Sequence, residues 1–288
     1  MRIGSLSNFI FITKEADKQF RNLSILMRKI STGRRIELPY TSPEGVYESE
    51  TLRGLISKTH LYEDNIKFAK GYLLTIDDTL GKVYQTVLEV KTKLIQFANS
   101  GGDPQIAKDT LTELKNRLLQ LAKTKIGDYY LFSGDKPTQE PFDSNNNYQG
   151  GSSEFYVKVA DNDNLLLFPK GDDIFGSGSN SLFSKIQNAI DNISDKSTIR
   201  QTIADMESFL KQIDQVRSKV GLSEQKLESY ELTYSNLLDN LKKRLSDIED
   251  VDMPTAIAEY KRVQTSYEAL LSLLGRSESQ GSYLLKYF

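Results

Sequence analysis

Apolar residues recur at alternating steps of three and four along residues 52–97, which predicts one long helix. Charged residues fill the positions between them, as expected for a helix that packs along one side. A strict seven-residue repeat of this kind is typical of a coiled coil, which needs a partner along its whole length. The predicted row consists of Leu52, Leu55, Thr59, Tyr62, Ile66, Ala69, Leu73, Ile76, Leu80, Val83, Val87, Val90, Leu94 and Phe97.

The partner of this helix is predicted over residues 198–249. A companion row there carries Arg217, Glu224 and Glu231 in its middle, so we expect a wetter contact in that part. A third, shorter helix over residues 104–125 follows a Gly-rich connection and is expected to pack antiparallel to the first. The main row of the partner helix repeats every seven residues without a break, through Ile199, Met206, Ile213, Val220, Leu227, Tyr234, Leu241 and Ile248.

Weaker helical stripes lie near both ends of the chain. An isolated helix with an unfilled apolar face is marginal in water, so we expect these helices to be disordered in a single chain and to fold when copies assemble. Between the first stripe and the long helix, residues 34–48 contain Pro39, Pro43 and Gly45 and are predicted to form an irregular linker. The stripes consist of Phe9, Ile12, Ala16, Phe20, Leu23, Met27 and Ile30, and of Ile257, Tyr260, Val263, Tyr267, Leu270, Leu271 and Leu274.

The middle of the chain, residues 128–197, has a different pattern. Residues 129–132 form a strand-like run, and residues 155–168 are predicted to form a hairpin around an Asn- and Asp-rich turn. A short helix is predicted over residues 182–193. This region therefore reads as a small β-rich insert, either one domain or a hairpin with a smaller domain.

These elements predict a mainly α fold, in which both halves of the chain form a long antiparallel coiled-coil rod that carries the β-rich insert. Three parts are expected. Residues 1–48 and 253–288 form a terminal helical region, residues 49–127 and 198–252 form the rod, and residues 128–197 form the insert.

Composition excludes several classes of function. The formal net charge of −2 over 288 residues argues against a nucleic-acid partner. The chain has no cysteine, so it has neither a disulfide framework nor a thiolate metal site. The apolar runs are far shorter than the ~20 residues that span a bilayer, so no membrane insertion is expected. The first residues do not resemble a cleaved signal peptide.

No residue pattern predicts a catalytic, metal or cofactor site. His60 is the only histidine and is more typical of a helix surface. The turn at residues 161–164 lacks the glycine and the oxygen ligand that a calcium loop requires. A basic cluster, consisting of Arg28, Lys29, Arg34 and Arg35, is either a phosphate site or a solvated helix end.

Short motifs are spread from one end of the chain to the other. They are Ile-Ser-Thr-Gly-Arg-Arg-Ile at 30–36, Tyr-Leu-Phe-Ser-Gly at 130–134 followed by Pro141-Phe142, Tyr-Gln-Gly-Gly at 148–151, Val-Arg-Ser-Lys-Val-Gly at 216–221, and Ser-Asp-Ile-Glu-Asp-Val-Asp at 246–252. The set resembles the flagellin family of bacterial flagellar proteins. The segments at 130–134 and 148–151 are the most specific, and they resemble the members of that family that join the hook to the filament.

The resemblance implies a structural protein and not an enzyme. It implies export through the flagellum's own type III route without a cleaved signal, and an extracellular location in the bacterial flagellum. The implied partners are copies of the chain in a ring, hook-associated protein 1, flagellin, and an export chaperone that binds the C-terminal helix. Under this resemblance, the two terminal stripes given above are the candidate assembly interface.

Two alternatives remain at this point. A small flagellin that forms the filament itself would share both termini and the architecture. A soluble enzyme on a coiled-coil scaffold would need a ligand site in the β-rich insert.

Overall fold

The computed structural model describes residues 2–35, 43–143 and 145–285, with side chains at 7, 9–35, 43–99, 101–143 and 145–276. The chain divides into two compact units. Unit 1 comprises residues 1–57 and 238–288, and unit 2 comprises residues 58–237. The three-part domain division expected from the sequence stays a prediction.

The described residues are mainly α-helical, which confirms the predicted fold class. The strands form two separate antiparallel pairs, β1 with β2 and β3 with β4. The helices are α1 (Arg2–Thr32), α2 (Pro43–Ser100), α3 (Pro104–Ala122), α4 (Gly171–Phe175), α5 (Leu182–Asp191), α6 (Lys196–Glu249) and α7 (Met253–Leu285). The strands are β1 (Lys125–Ile126), β2 (Tyr129–Tyr130), β3 (Phe155–Lys158) and β4 (Asn164–Phe168).

Two local predictions were wrong. Helix α2 begins at Pro43, so the second part of the predicted linker is helical. Proline is tolerated at the first helical position because that residue needs no backbone donor; Pro39 lies outside the described residues. In the run at 129–132 only the two tyrosines form a strand, because the chain turns at Leu131 and Phe132, whose side chains are fully buried.

Within unit 2, α2 and α6 run antiparallel. Arg217 Nε donates to Asp77 Oδ1 at 3.0 Å, and Lys91 Nζ lies 2.8 Å from Glu207 Oε1. Residues further along α2 therefore pair with residues earlier in α6, as in an antiparallel pair. The predicted row of α2 is fully buried at every position from Ile66 to Leu94. In unit 1, by contrast, Leu55, which belongs to the same predicted row, is 46% exposed. The row is therefore not buried at every position back to its predicted start.

The second buried row of α6 differs in part from the predicted companion row, of which Leu210 and Leu238 are buried. Thr202, Phe209, Val216 and Ser223 are buried, and each lies three residues after a main-row position. The predicted companion row lies four residues after those positions, at the edge of the contact. A residue at the edge can reach an ionic partner on the facing helix, which explains why the row tolerates charge. Arg217 pairs with Asp77 there, and Lys70 Nζ lies 2.6 Å from Glu231 Oε2.

Glu224 is the uncompensated member of this edge row. Its Oε1 atom is buried and accepts no hydrogen bond from any described residue. Burial, helped by the nearby charges of Asp77 and Glu228, raises the pKa of the Glu224 carboxyl. An ionised carboxylate here therefore destabilises the helix contact.

We expect Glu224→Met to raise the free energy of unfolding by about 1 kcal/mol at neutral pH, because it removes a buried unpaired charge. The folded-state pKa is raised, so the wild-type chain gains stability as pH falls through that pKa, and the gap between the two proteins narrows. Urea unfolding at several pH values measures both effects. Glu113→Met, at an exposed position of α3 in the same unit, is the matched control.

The insert adds a group of packed aromatic rings to the hydrophobic core of unit 2. Phe142 is fully buried, and its ring packs edge-on against Phe175 and Phe183, with centroids 5.7 and 5.3 Å away. Gly171 approaches this core so closely that a Cβ would lie 2.8 Å from the carbonyl oxygen of Phe132. The predicted hairpin is confirmed as β3 and β4.

Candidate assembly surface

The terminal helices α1 and α7 pack against each other within unit 1. The rings of Phe20 and Tyr267 lie 5.9 Å apart, and Arg34 forms an isolated antiparallel bridge with Asp250. Because these partners run in opposite directions along the two segments, the pair is antiparallel. Both helices are formed in this structure; the expectation that they are disordered in an isolated chain stays a prediction.

One row of each helix faces the other. Ala16 and Leu26 of α1 are 5% and 8% exposed, and Ala256 and Val263 of α7 are 4% and 8% exposed. These rows, which we call the seam, alternate in steps of three and four. The remaining predicted members of the seam are half-buried, and they are Ile12, Leu23, Ile30, Tyr260, Tyr267, Leu270 and Leu274.

Sequence reasoning missed Leu26 and Ala256. It chose Met27, which is 60% exposed, in place of Leu26. The spacing held the necessary signal, because Leu26 lies three residues after Leu23 and four before Ile30, as a seam position requires.

Four other predicted residues form an exposed row beside the seam. Phe20 and Met27 are 56% and 60% exposed, and Ile257 and Leu271 are 40% and 45% exposed. Met27, Ile257 and Leu271 each directly follow a seam position, and Phe20 lies one heptad before Met27. The two rows therefore have the same angular offset from their own seams. In an antiparallel pair, equal offsets place both rows on the same side. We call these four residues the outer strip.

Further apolar residues of the terminal helices are exposed as well. Phe9 belongs to the predicted stripe and is 40% exposed, and Ile10 and Phe11, which follow it, are 46% and 68% exposed. Leu273 of α7 is 50% exposed. The uninterrupted run of four apolar residues at 9–12 is the sequence signal that could have marked this end of α1 as apolar on more than one face.

One member of the basic cluster, Arg35, binds main-chain carbonyl groups. The Arg35 guanidinium donates to the carbonyl oxygens of Asp247 and Ile248, at 3.2 and 2.8 Å. These carbonyls belong to the last turn of α6, where carbonyl groups lack partners within the helix. Arg35 therefore caps the C-terminus of α6.

The acidic turn of the hairpin attaches the insert to both long helices of unit 2. Asp161 accepts hydrogen bonds from Lys58 and Tyr62 of α2, and Asp163 accepts one from Tyr230 of α6, each at 2.7 to 2.8 Å. These donors lower the pKa of both carboxyl groups. The carboxylates that faintly resemble a calcium loop thus hold the hairpin in place.

The described residues show little that could support catalysis. His60 is 44% exposed in its side chain and lies 3.3 Å from Glu63. No group of three or more His, Cys, Asp or Glu residues among the described residues could hold a metal ion. In that same part of the chain, no helix has the length and hydropathy to cross a membrane.

Comparison with known proteins identifies the class. The model of the bacterial flagellin N-terminal helical region matches residues 11–136, and that of the C-terminal helical region matches residues 203–288. Flagellar hook-associated protein 3 of Escherichia coli is 25% identical over 86% of this chain and 89% of its own length. The protein of the same name from Salmonella typhimurium is 23% identical over 88% and 90%.

The fold has solved counterparts. A putative flagellar hook-associated protein from Vibrio parahaemolyticus matches with a TM-score of 0.65 and 16% identity, over 73% of this chain and 100% of that one. A flagellin from Halalkalibacterium halodurans is also a relative, at 21% identity over 90% of this chain and 89% of its own.

The chain belongs to the flagellin family of bacterial flagellar proteins. Its resemblance to the hook–filament junction members of that family is confirmed by the two relatives called hook-associated protein 3. It is thus a structural component of the bacterial flagellum and not an enzyme.

Proposed function

We propose that copies of this chain form the ring that joins the hook to the filament, and that they join through the outer strip. The observation that carries this proposal is the exposure of Phe20, Met27, Ile257 and Leu271 on one side of a helix pair. Large apolar side chains grouped on one face of a monomer are typical of a protein–protein contact.

The occupant we propose for this strip is the terminal helix pair of a neighbouring copy. A ring requires a head-to-tail contact that closes after a fixed number of copies. The exposed residues at 9–11 and Leu273 supply apolar surface outside the strip, and such a contact needs two different surfaces on each copy. The terminal helices can therefore bury their exposed apolar area in the assembly.

The partners and the route follow from the same proposal. The ring sits on hook-associated protein 1, and flagellin polymerises onto it. The chain reaches this place through type III export without a cleaved signal, held beforehand by a chaperone on the C-terminal helix. The names of the relatives support a place at the hook, and Ile257, Leu271 and Leu273 give a chaperone exposed apolar positions on α7 to bind.

A second candidate function is a small flagellin that forms the filament. It is favoured by the flagellin relative, which matches nearly the whole chain. Both functions use the same terminal helices, so the fold does not separate them, but the number of copies does.

Quantitative mass spectrometry of purified flagella, calibrated against the hook subunit and the main flagellin, tests the proposal. We expect a small, fixed number of copies per flagellum that does not change when filaments are sheared to different lengths. Copy numbers that scale with filament length would establish a flagellin instead. Absence of the chain from purified flagella would contradict both functions.

A further inference from the structure

The segments that follow α1 and α6 are joined to each other in unit 1. The backbone N–H of Arg35 donates to the carbonyl oxygen of Glu249 at 2.6 Å, and that of Val251 donates to the carbonyl oxygen of Gly33 at 2.9 Å. Gly33 has a φ of +69°, a conformation that glycine adopts without strain, and this lets the chain turn out of α1. The end of α1 is thereby fixed beside the residues that lead into α7.

Two arginines reinforce this junction from different sides. Arg35 caps the last carbonyl groups of α6, where a positive charge is favourable. Arg53 of α2 binds the carboxylate of Glu249 through two nitrogens, at 2.7 to 3.0 Å. The Glu249 side chain is only 12% exposed, and its hydrogen bonds with Arg53 lower the pKa of the carboxyl. We call Gly33, Arg35, Arg53, Glu249 and Val251 the clasp.

The clasp lies at the closed end of the α1–α7 pair. Helix α1 ends at Thr32 and α7 begins at Met253, directly beside these contacts. In an ordinary helical hairpin, a short covalent loop at this place fixes how far one helix is shifted along the other. Here no short loop joins the two helix ends. Residues 250–252 tie α7 closely to α6, but the ten residues 33–42 between α1 and α2 are long enough to permit a shift of one heptad, so the chain alone does not fix the register.

The register matters because the seam is a repeating pattern. A shift of one heptad would place seam residues against seam residues again, so the apolar rows alone distinguish neighbouring registers poorly. The shift would also move Phe20 and Met27 along α7, away from Ile257 or Leu271, and so divide the outer strip.

We propose that the clasp fixes the register of α1 against α7 and thereby assembles the outer strip. Arg35 and Arg53 are positioning residues in this arrangement, since neither belongs to the strip itself. The inference rests on the proposed function only where it assigns the outer strip to a contact between copies. The register of α1 against α7 is a property of the single chain.

Cross-linking of engineered cysteines tests the register, because the chain has no cysteine of its own. Phe20→Cys with Tyr267→Cys reports the native register. A second reporter, Phe20→Cys with either Tyr260→Cys or Leu274→Cys, detects a shift of one heptad in either direction. With an intact clasp, we expect a short bismaleimide to link the first pair and not the second. In the double variant Arg35→Gln, Arg53→Gln, the yield of the first link should fall severalfold and the second link should appear.

Arg200→Gln is the matched control, since Arg200 is an exposed arginine on α6 in unit 2. It should leave both yields unchanged, and circular dichroism confirms that each variant keeps its helix content. An unchanged native link in the double variant would overturn the proposal. Loss of both links would also overturn it, because the clasp would then hold the helices together without selecting a register.

This test uses single chains in dilute solution, so its result does not depend on ring formation. If purified flagella contradict the junction ring, the cross-linking result can still support the clasp. If the cross-links contradict the clasp, the proposed ring loses its positioning device but keeps its contact surface.

Discussion

Phe20→Glu combined with Leu271→Glu should abolish assembly while leaving the single chain folded. Both side chains are about half exposed in the outer strip, so a charged residue there meets water in the free chain. Loss of the ring contact between Phe20 and Tyr267 costs the helix pair about 1 kcal/mol. In an assembled contact the same charges would be buried without a partner. We expect a loss of about 3 kcal/mol or more in association, equivalent to about a hundredfold in the association constant.

Motility and electron microscopy of a strain that carries the variant measure this effect, with the monomer checked by circular dichroism. The matched control is Leu222→Glu with Leu232→Glu, which places the same charges at leucines of α6 that are 63% and 67% exposed. Filaments of normal number on the Phe20→Glu, Leu271→Glu strain would remove the outer strip from the proposed contact. A control that fails equally would show a general effect of added charge.

Leu270→Asp combined with Leu274→Asp should separate α1 from α7 and block filament attachment, while unit 2 stays folded. Both leucines lie in the seam, half-buried against α1. Each substitution removes apolar contact and places a charge in an apolar row, at a cost of roughly 2 kcal/mol or more per site. Isolated helices are marginal in water, so we expect the amides of α1 and α7 to lose their protection from hydrogen exchange together.

Hydrogen exchange read by mass spectrometry resolves this outcome by segment. Amides of α1 and α7 should exchange quickly in the variant, whereas those of α2 and α6 in unit 2 should keep their protection. Ser266→Asp with Ser272→Asp adds the same charge to exposed positions of α7 and should change neither segment. Protection of α1 that equals wild type would show that the two leucines do not hold the pair.

The two double variants affect assembly by different routes. One leaves the helix pair intact and changes its exposed side, whereas the other takes the pair apart. The outer-strip variant should therefore keep the native contact between α1 and α7, reported by a cross-link between cysteines placed at the seam positions Leu23 and Val263, and the seam variant should lose that cross-link.

The long helices could be read from the sequence because their pattern is local. A row such as Ile66 to Leu94 repeats within one helix, and its burial requires only that some partner lies along it. The ends of these helices were harder, as Pro43 shows, because a proline marks either a linker or a helix start. The resemblance to the flagellin family could likewise be read from the sequence, because each motif is a run of consecutive residues.

The candidate site was predicted only in part for a related reason. The fourteen predicted residues divide into seam and exposed positions, and the sequence could not assign them, because Leu26 and Met27 are both apolar and lie 100° apart around one helix. Which of the two faces inward depends on how α1 is rotated against α7. Ile257 and Leu271 of α7 can be recognised as members of the outer strip only when that rotation and the antiparallel direction are known.

The sequence by itself determined that this chain builds long amphipathic helices with a small insert and that it carries the flagellin motifs. Only the tertiary structure decided which apolar residues form the seam and which form the outer strip. It also revealed the clasp, in which Arg35 meets carbonyl groups 212 and 213 residues away. Periodicity reports which residues share a face of one helix, whereas contacts between distant segments depend on packing, which leaves no repeating trace in the sequence.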